Sequence, residues 1–231
     1  MKLSLIIPCY NEEKSLPILL EKCNFTDEKV NIEIVIVDNG SNDNTEKVLD
    51  NLKDQYTNYV FVKVQKNQGY GHGILAGLNA ASGDILAWTH ADLQTDPKDI
   101  LKGLEIFKNN KKNIFVKGRR VGRPISDNIF TIGMSVFEII LLRKYMYDIN
   151  AQPTIFSRSF YESWDRPPND FSLDLYAYYL ACYNNIRIYR FPVSFGERRY
   201  GVSHWNIDIK SKIKFIQRTI SFSLKLKKRL K

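Results

Sequence analysis

Cysteine is scarce here: Cys9, Cys23 and Cys182 are the only three in 231 residues. None forms a CxxC pair or a metal-ligand spacing, which excludes a disulfide framework and points to reduced thiols in a cytosolic protein. Long apolar runs are missing as well. The run after Lys2 reaches only Cys9 and is broken by Ser4 and Pro8, so it is no signal peptide. The longest other apolar segment, Ile129 to Leu142, carries Thr131, Ser135 and Glu138. It is shorter than the roughly 20 residues that span a bilayer. Repeats, low-complexity linkers and a domain boundary before about Gly201 are also lacking. After Asp208 there is no acidic residue, while nine basic ones follow from Lys210 to Lys231. The net charge of +9 therefore belongs to the tail. A polyanionic surface is its natural partner, phospholipid or nucleic acid.

What is present is a core-forming composition, 44% hydrophobic and 13% aromatic, enough for one generous domain. Short β-branched runs (Lys2 to Ile7, Glu33 to Asp38, Val60 to Gln65, Asp84 to Thr89) alternate with stretches of helical apolar spacing. These are Glu13 to Cys23, Asp43 to Tyr56 and Gly71 to Ala81, and Asp96-Pro97 opens a further helix toward Phe107. The alternation predicts an α/β fold, a mostly parallel sheet covered by helices. Further on, strands are expected at Asn113 to Gly118, Gln152 to Ser157 and Arg187 to Phe195, and helices at Asp127 to Tyr147 and Phe171 to Asn184. From Ile207 the pattern is helical again. Ile209, Ile213, Ile216, Ile220 and Leu224 form an apolar stripe among basic residues. The expected division is a catalytic domain over 1–205 and a basic amphipathic helix over 206–231.

Open parallel sheets collect ligands at the carboxyl ends of their strands. Four successive strand ends here are rich in carboxylates, amides and glycines: Pro8-Cys9-Tyr10-Asn11-Glu12, Asp38-Asn39-Gly40-Ser41, Asn67 to Gly73, and His90-Ala91-Asp92-Leu93-Gln94. Each has an ordinary use alone. The second could be a capped turn, the glycines a tight turn before a helix, and His90 a structural histidine. Their order and shared position point to one anionic, metal-assisted nucleotide site.

In these motifs the chain resembles family 2 glycosyltransferases of the A-type nucleotide-sugar fold, most of all the polyprenyl-phosphate (dolichyl-phosphate mannose synthase-like) branch. The resemblance continues through Ser82-Gly83-Asp84, Asp148 to Pro153 and Glu197 to Ser203. It implies a Rossmann-like nucleotide-sugar-binding sheet. It places Pro8, Tyr10, Glu12, Val37, Asp38, Asn39, Gly71, His90, Ala91 and Asp92 around the donor. The family's Asp-x-Asp metal motif falls on His90-Ala91-Asp92, with Gln94 as a further ligand of a divalent metal, Mn²⁺ or Mg²⁺. The chain departs from the pattern at His90, where the family has an acid. Histidine suits Mn²⁺ better than Mg²⁺, which prefers hard oxygens. Asn39 is a second departure and leaves open which base is read.

The acceptor decides which other groups are needed. A lipid phosphate is already anionic and needs no general base, only cations such as Arg119, Arg120 and Arg198 to hold phosphates together. A sugar hydroxyl would need a carboxylate base, for which Asp174 is the candidate, with Asp170 behind it. The basic tail favours the lipid phosphate, because an amphipathic helix can lie in the headgroup layer. The expected function is therefore an inverting hexosyltransferase, moving a sugar from a nucleotide sugar to a polyprenyl phosphate at the cytoplasmic face of the cell membrane. Three other readings stay open: transfer to a cell-surface glycan, as in capsule or lipopolysaccharide assembly; a sugar-phosphate nucleotidyltransferase; and a non-catalytic relative that binds nucleotide or membrane. Pro8 to Glu12 is not the glycine-rich, arginine-bearing loop a nucleotidyltransferase wants. No nucleic-acid partner is expected, since aromatics do not interleave with the tail's lysines.

Overall fold

Leu3–Cys9 (β1) and Ile32–Asp38 (β2) are apolar on both faces, the signature of strands covered by helices on either side. They pair in parallel, and Tyr59–Lys63 (β3) and Ile85–Trp88 (β4) extend the sheet in the same direction. Between them run Leu16–Lys22 (α1), Thr45–Leu52 (α2) and Tyr70–Ala80 (α3). Asp99–Asn109 (α4) follows β4, then Ile114–Val121 (β5), Ile125–Leu142 (α5), Thr154–Ser157 (β6) and Arg158–Glu162 (α6). Ser172–Tyr183 (α7), Arg187–Ser194 (β7) and Ile209–Arg229 (α8) complete the chain. This computed structural model describes all residues but 26–30, 57, 111–112, 123–124, 202–208 and 230–231; for 125–130, 209–212 and 215 it describes backbone alone. The expected boundary at residue 205 lies outside the described residues.

The seven strands are ordered β3-β2-β1-β4-β6-β5-β7. Only β6 runs antiparallel to its neighbours, β4 and β5. The carboxyl ends of the other six therefore share one edge, and β6 begins at that same edge. Alternation splits the core. Leu5, Ile7, Ile34 and Ile36 face the layer containing α1 and α4, while Ile6, Val35 and Val37 face α3 and α7.

The chain's second half differs from expectation at one helix end. The long apolar helix stops at Leu142 instead of Tyr147, where Arg143 takes a left-handed φ of 55°. On α8 the isoleucine stripe is half-buried at Ile216 and Ile220. Ile213 and Leu224 stay exposed, whereas Ser223 and Leu226 are buried and Phe222 packs on the core. Arg218 pairs with Asp170, and Arg229 pairs with Asp165, so two tail arginines pin α8 to the domain. Among the described residues no helix is long and apolar enough to cross a membrane.

Candidate functional site

The loops at the shared strand edge surround a cavity of about 470 Å³, within the range that holds a small organic ligand. Pro8 reaches it from β1, Tyr10 and Glu12 from the loop after β1, Asn39 from just after β2, and His90, Ala91, Asp92 and Gln94 from the loop after β4. The far wall comes from the ends of β5 and β7, the start of α7, and one face each of α5 and α8.

Four of the sequence-predicted residues do not line it: Val37, Asp38, Gly71 and Arg119. Val37 is fully buried on the α3 side, where strand alternation sends it. Asp38 shapes the turn after β2, its Oδ1 accepting the Ser41 N–H at 3.0 Å. A Cβ on Gly71 would lie 2.7 Å from backbone atoms of Pro168, Asn169 and Asp170, so this glycine lets α3 approach that loop. Arg119 and Arg120 are neighbours on β5 and point to opposite faces, so only Arg120 enters the cavity.

The first two strand-end loops are tied together. Glu12 N–H donates to Thr45 Oγ1 at 2.9 Å, and Asn11 N–H to Ser41 Oγ at 3.0 Å. Glu12 is 6% exposed. Its carboxylate accepts from Ser15 Oγ at 2.6 Å and from Arg198, which arrives from beyond β7. Burial raises its pKa; Ser15 and Arg198 oppose this, and the charge of Asp92 adds to the rise. After β4, Asp92 Oδ1 accepts the Gln94 N–H at 3.1 Å across Leu93, which sits at φ 59°. Gln94 gives its side-chain amide to the Gly196 carbonyl at 3.1 Å, joining the β4 and β7 loops.

Tyr70 was read from the sequence only as part of a turn. Its ring stacks on Phe171 (centroids 4.7 Å apart) and on His90 (5.4 Å), bracing the imidazole against α7. Burial raises the Tyr70 pKa well above the ordinary phenol value, so it stays a neutral hydroxyl.

Asp174 lines the cavity but is 1% exposed and already engaged. Its Oδ1 accepts from Gln152 Nε2 at 2.8 Å, Trp88 Nε1 at 3.3 Å and Lys117 Nζ at 3.5 Å. Burial lowers the Lys117 pKa to about 8, with Asp174 opposing. Arg120 is fixed by Asp148, donating through Nε at 2.7 Å and through its backbone N–H at 2.9 Å. Lys117, Gln152 and Asp148 thus form a buried scaffold under the cavity. A lysine in the apolar run Ile114-Phe115-Val116-Lys117 was the signal available in the sequence.

Four buried side-chain polar atoms among the described residues have no hydrogen-bond partner: Asn39 Oδ1, Glu138 Oε2, Ser172 Oγ and Trp164 Nε1. The first three residues line this cavity. An orphaned buried group costs about 1–3 kcal/mol unless a partner satisfies it. Asn39 donates its Nδ2 to the Gly69 carbonyl at 3.0 Å, which leaves Oδ1 as a fixed acceptor.

Comparison with known proteins bears on both fold and family. A model described as glycosyl transferase family 2 matches residues 4–161. An undecaprenyl-phosphate 4-deoxy-4-formamido-L-arabinose transferase of Proteus mirabilis is 39% identical over 104 residues, 43% of this chain and 31% of the relative. Its counterpart in Photorhabdus laumondii is 36% identical over 133 residues, 56% of this chain and 39% of the relative. The chain thus spans about a third of the length of these curated relatives. Among solved structures, glucosyl-3-phosphoglycerate synthase of Mycobacterium tuberculosis, in complex with Mn²⁺, UDP and glucosyl-3-phosphoglycerate, aligns with a TM-score of 0.72 at 15% identity. That alignment covers 96% of this chain and 78% of the other. A mannosyltransferase of Pyrobaculum calidifontis with GDP-Man and Mn²⁺ aligns with a TM-score of 0.69 at 17% identity, covering 97% and 64%. At these identities the likeness is one of fold, and it is the α/β fold expected from the sequence.

Proposed function

The chain belongs to glycosyl transferase family 2, and on that premise we propose that it transfers a sugar from a nucleotide-sugar donor to a polyprenyl phosphate. The observation that carries this reading is the makeup of the cavity. The orphaned Asn39 Oδ1 and the strand-end carboxylates of Glu12 and Asp92 line it together with two arginines, Arg120 and Arg198, each paired with a carboxylate. The names of the curated relatives favour the lipid phosphate as acceptor.

The residues present fit a divalent cation that takes part of its shell from the donor. Among the described residues no three His, Cys, Asp or Glu side chains are grouped to hold a metal alone. Yet Asp92 and His90 border the cavity together, and the charge of Asp92 is felt at Glu12. A cation would relieve that crowding, with diphosphate oxygens as further ligands. Asp92 and His90 would hold it, and when bound it supplies charge neutralisation for the leaving diphosphate.

Everything else falls to this chain's side chains. Asn39 Oδ1 accepts a hydrogen bond from the nucleoside. Arg198 and Arg120 draw the donor and acceptor phosphates close, which a pair of like charges requires. A phosphate oxygen of the acceptor then attacks the anomeric carbon, the bond to the diphosphate breaks, and the configuration inverts. No base is needed. The engagement of Asp174 Oδ1 by three buried donors supports this acceptor over a sugar hydroxyl, because that oxygen already serves the scaffold.

Outward, α5 and α8 present exposed Ile132, Val136, Ile140, Ile213 and Leu224, with Lys214, Lys225 and Lys228 exposed on α8. Their inner faces contribute Thr131, Glu138 and Thr219 to the cavity. Such a pair suits docking on an anionic membrane beside the acceptor. The test is incubation with labelled nucleotide sugars and either undecaprenyl phosphate or a soluble glycan. Label in the organic phase is the expected outcome; label only in aqueous glycan overturns the acceptor.

A further inference from the structure

Glu138 is an acid in the middle of an apolar helix, fully buried, and a lining residue of the cavity. Neither the donor site nor the arginine pair uses it. Its Oε2 has no partner, and its Oε1 lies 2.8 Å from Ser223 Oγ on α8. Ser223 Oγ also lies 2.9 Å from the Thr219 carbonyl oxygen.

A hydroxyl has one proton. With an ionised Glu138, Ser223 must choose between two acceptors, and a buried carboxylate oxygen stays unpaired. With a protonated Glu138, Oε1–H donates to Ser223 Oγ, and Ser223 gives its own proton to the Thr219 carbonyl. Both contacts are then complete hydrogen bonds, and the orphaned Oε2 is a carbonyl-type oxygen instead of half of a charge. Burial points the same way, raising the Glu138 pKa to about 7 with only the Ser223 hydrogen bond opposing. No charged group of α5, α7 or α8 among the described residues contributes. From α8 it is faced by Ser223, and nearby on its own helix Ser135 Oγ accepts the Asp148 N–H at 3.3 Å.

We propose that Glu138 acts as a neutral acid: it fastens α8 to α5 through Ser223 and keeps that wall of the cavity free of negative charge, so that an anionic acceptor headgroup can enter. It is a positioning residue, since it acts through α8 and through the charge of the wall. This role rests on the reading that the acceptor is a phosphate. Ionisation of Glu138 has two effects of one sign: it loosens the α5–α8 seam and repels the headgroup.

The test compares wild type with Glu138→Gln, which is neutral at every pH and can donate to Ser223 in the same place. The acceptor KM for undecaprenyl phosphate is measured between pH 6 and 8.5. In wild type it rises at least fivefold across that range, with kcat changing less; in Glu138→Gln it rises less than twofold. The lipid phosphate's own titration is common to both proteins and cancels. An equal rise in both overturns the proposal. Should wild type transfer nothing to lipid phosphate, the functional reading fails separately, and an infrared titration decides the state of Glu138. A protonated-carboxyl band at pH 6 that disappears toward pH 8.5 and is absent from Glu138→Gln upholds the neutral acid; no such band overturns it.

Discussion

Arg198 and Glu12, separated by 186 residues in sequence, form an ion pair that joins the segment beyond the last strand to the loop after the first. Both residues line the cavity, and the pair gives the buried Glu12 carboxylate a partner. Replacing Arg198 by Ala should lower kcat/KM by about 10²–10³, the usual cost of losing one charge-stabilising donor. Arg119→Ala, exposed and outside the cavity, should change it by no more than about twofold, as for other surface substitutions. Steady-state kinetics of both variants decides between them. Equal losses would show that the cavity has been drawn around the wrong arginines.

His90 stands where a carboxylate would suit Mg²⁺ better. Wild type should work better with Mn²⁺ than with Mg²⁺, and His90→Asp should shift that preference toward Mg²⁺. Activity across a titration of each metal provides the measurement. Identical metal profiles for the two proteins would remove His90 from the metal site.

Asp148 and Glu138 should pull stability in opposite directions with pH. Burial works to raise the Asp148 pKa, but the charge and hydrogen bonds of Arg120, helped by Arg190, outweigh it and the value is lowered. Its contribution is full above the ordinary carboxylate pKa and is lost as pH falls through the lowered value. Asp148→Asn should cost about 3–5 kcal/mol at neutral pH, because it strands buried positive charge, and should flatten the acid side of the stability curve.

Glu138 is the reverse case. Its pKa is raised from 4.5 to about 7, so its contribution is full below 4.5 and is lost as pH climbs toward 7. The Tm of Glu138→Gln relative to wild type should therefore increase between pH 5 and pH 8. A constant difference would mean that Glu138 does not change its proton affinity on folding.

The outer face of α5 and α8 gives a prediction that separates membrane docking from folding. Ile140 is 72% exposed and Ile213 48%. Ile140→Glu and Ile213→Glu should leave Tm nearly unchanged while weakening binding to anionic liposomes, measured by co-sedimentation. Full liposome binding in the double variant would assign attachment to some other surface.

The strands of the first hundred residues were legible because parallel strands covered on both faces are short, β-branched and continuous, and the chemistry of such a sheet gathers at their ends. The direction of β6 was not, since four residues carry no sign of parallel or antiparallel pairing. Val37 and Arg119 lie outside the cavity for a reason the sequence did contain: neighbours on a strand face opposite ways. The packed face of α8 depends on partners distant in sequence. Its isoleucine stripe leaves Ile213 and Leu224 exposed, while Ser223 is buried against Glu138, 85 residues earlier. Tyr70 and Lys117 gain their roles only from partners that the fold brings to them.

The central claim is that the strand-tip cavity seats a nucleoside diphosphate. A crystal structure with the donor nucleotide and Mn²⁺ tests it most directly. The account predicts a nucleotide in this cavity, its diphosphate between Asp92 and Arg198, and a donor from the nucleoside about 3 Å from Asn39 Oδ1. Nucleotide bound elsewhere, with Asn39 Oδ1 still unpartnered, would contradict it.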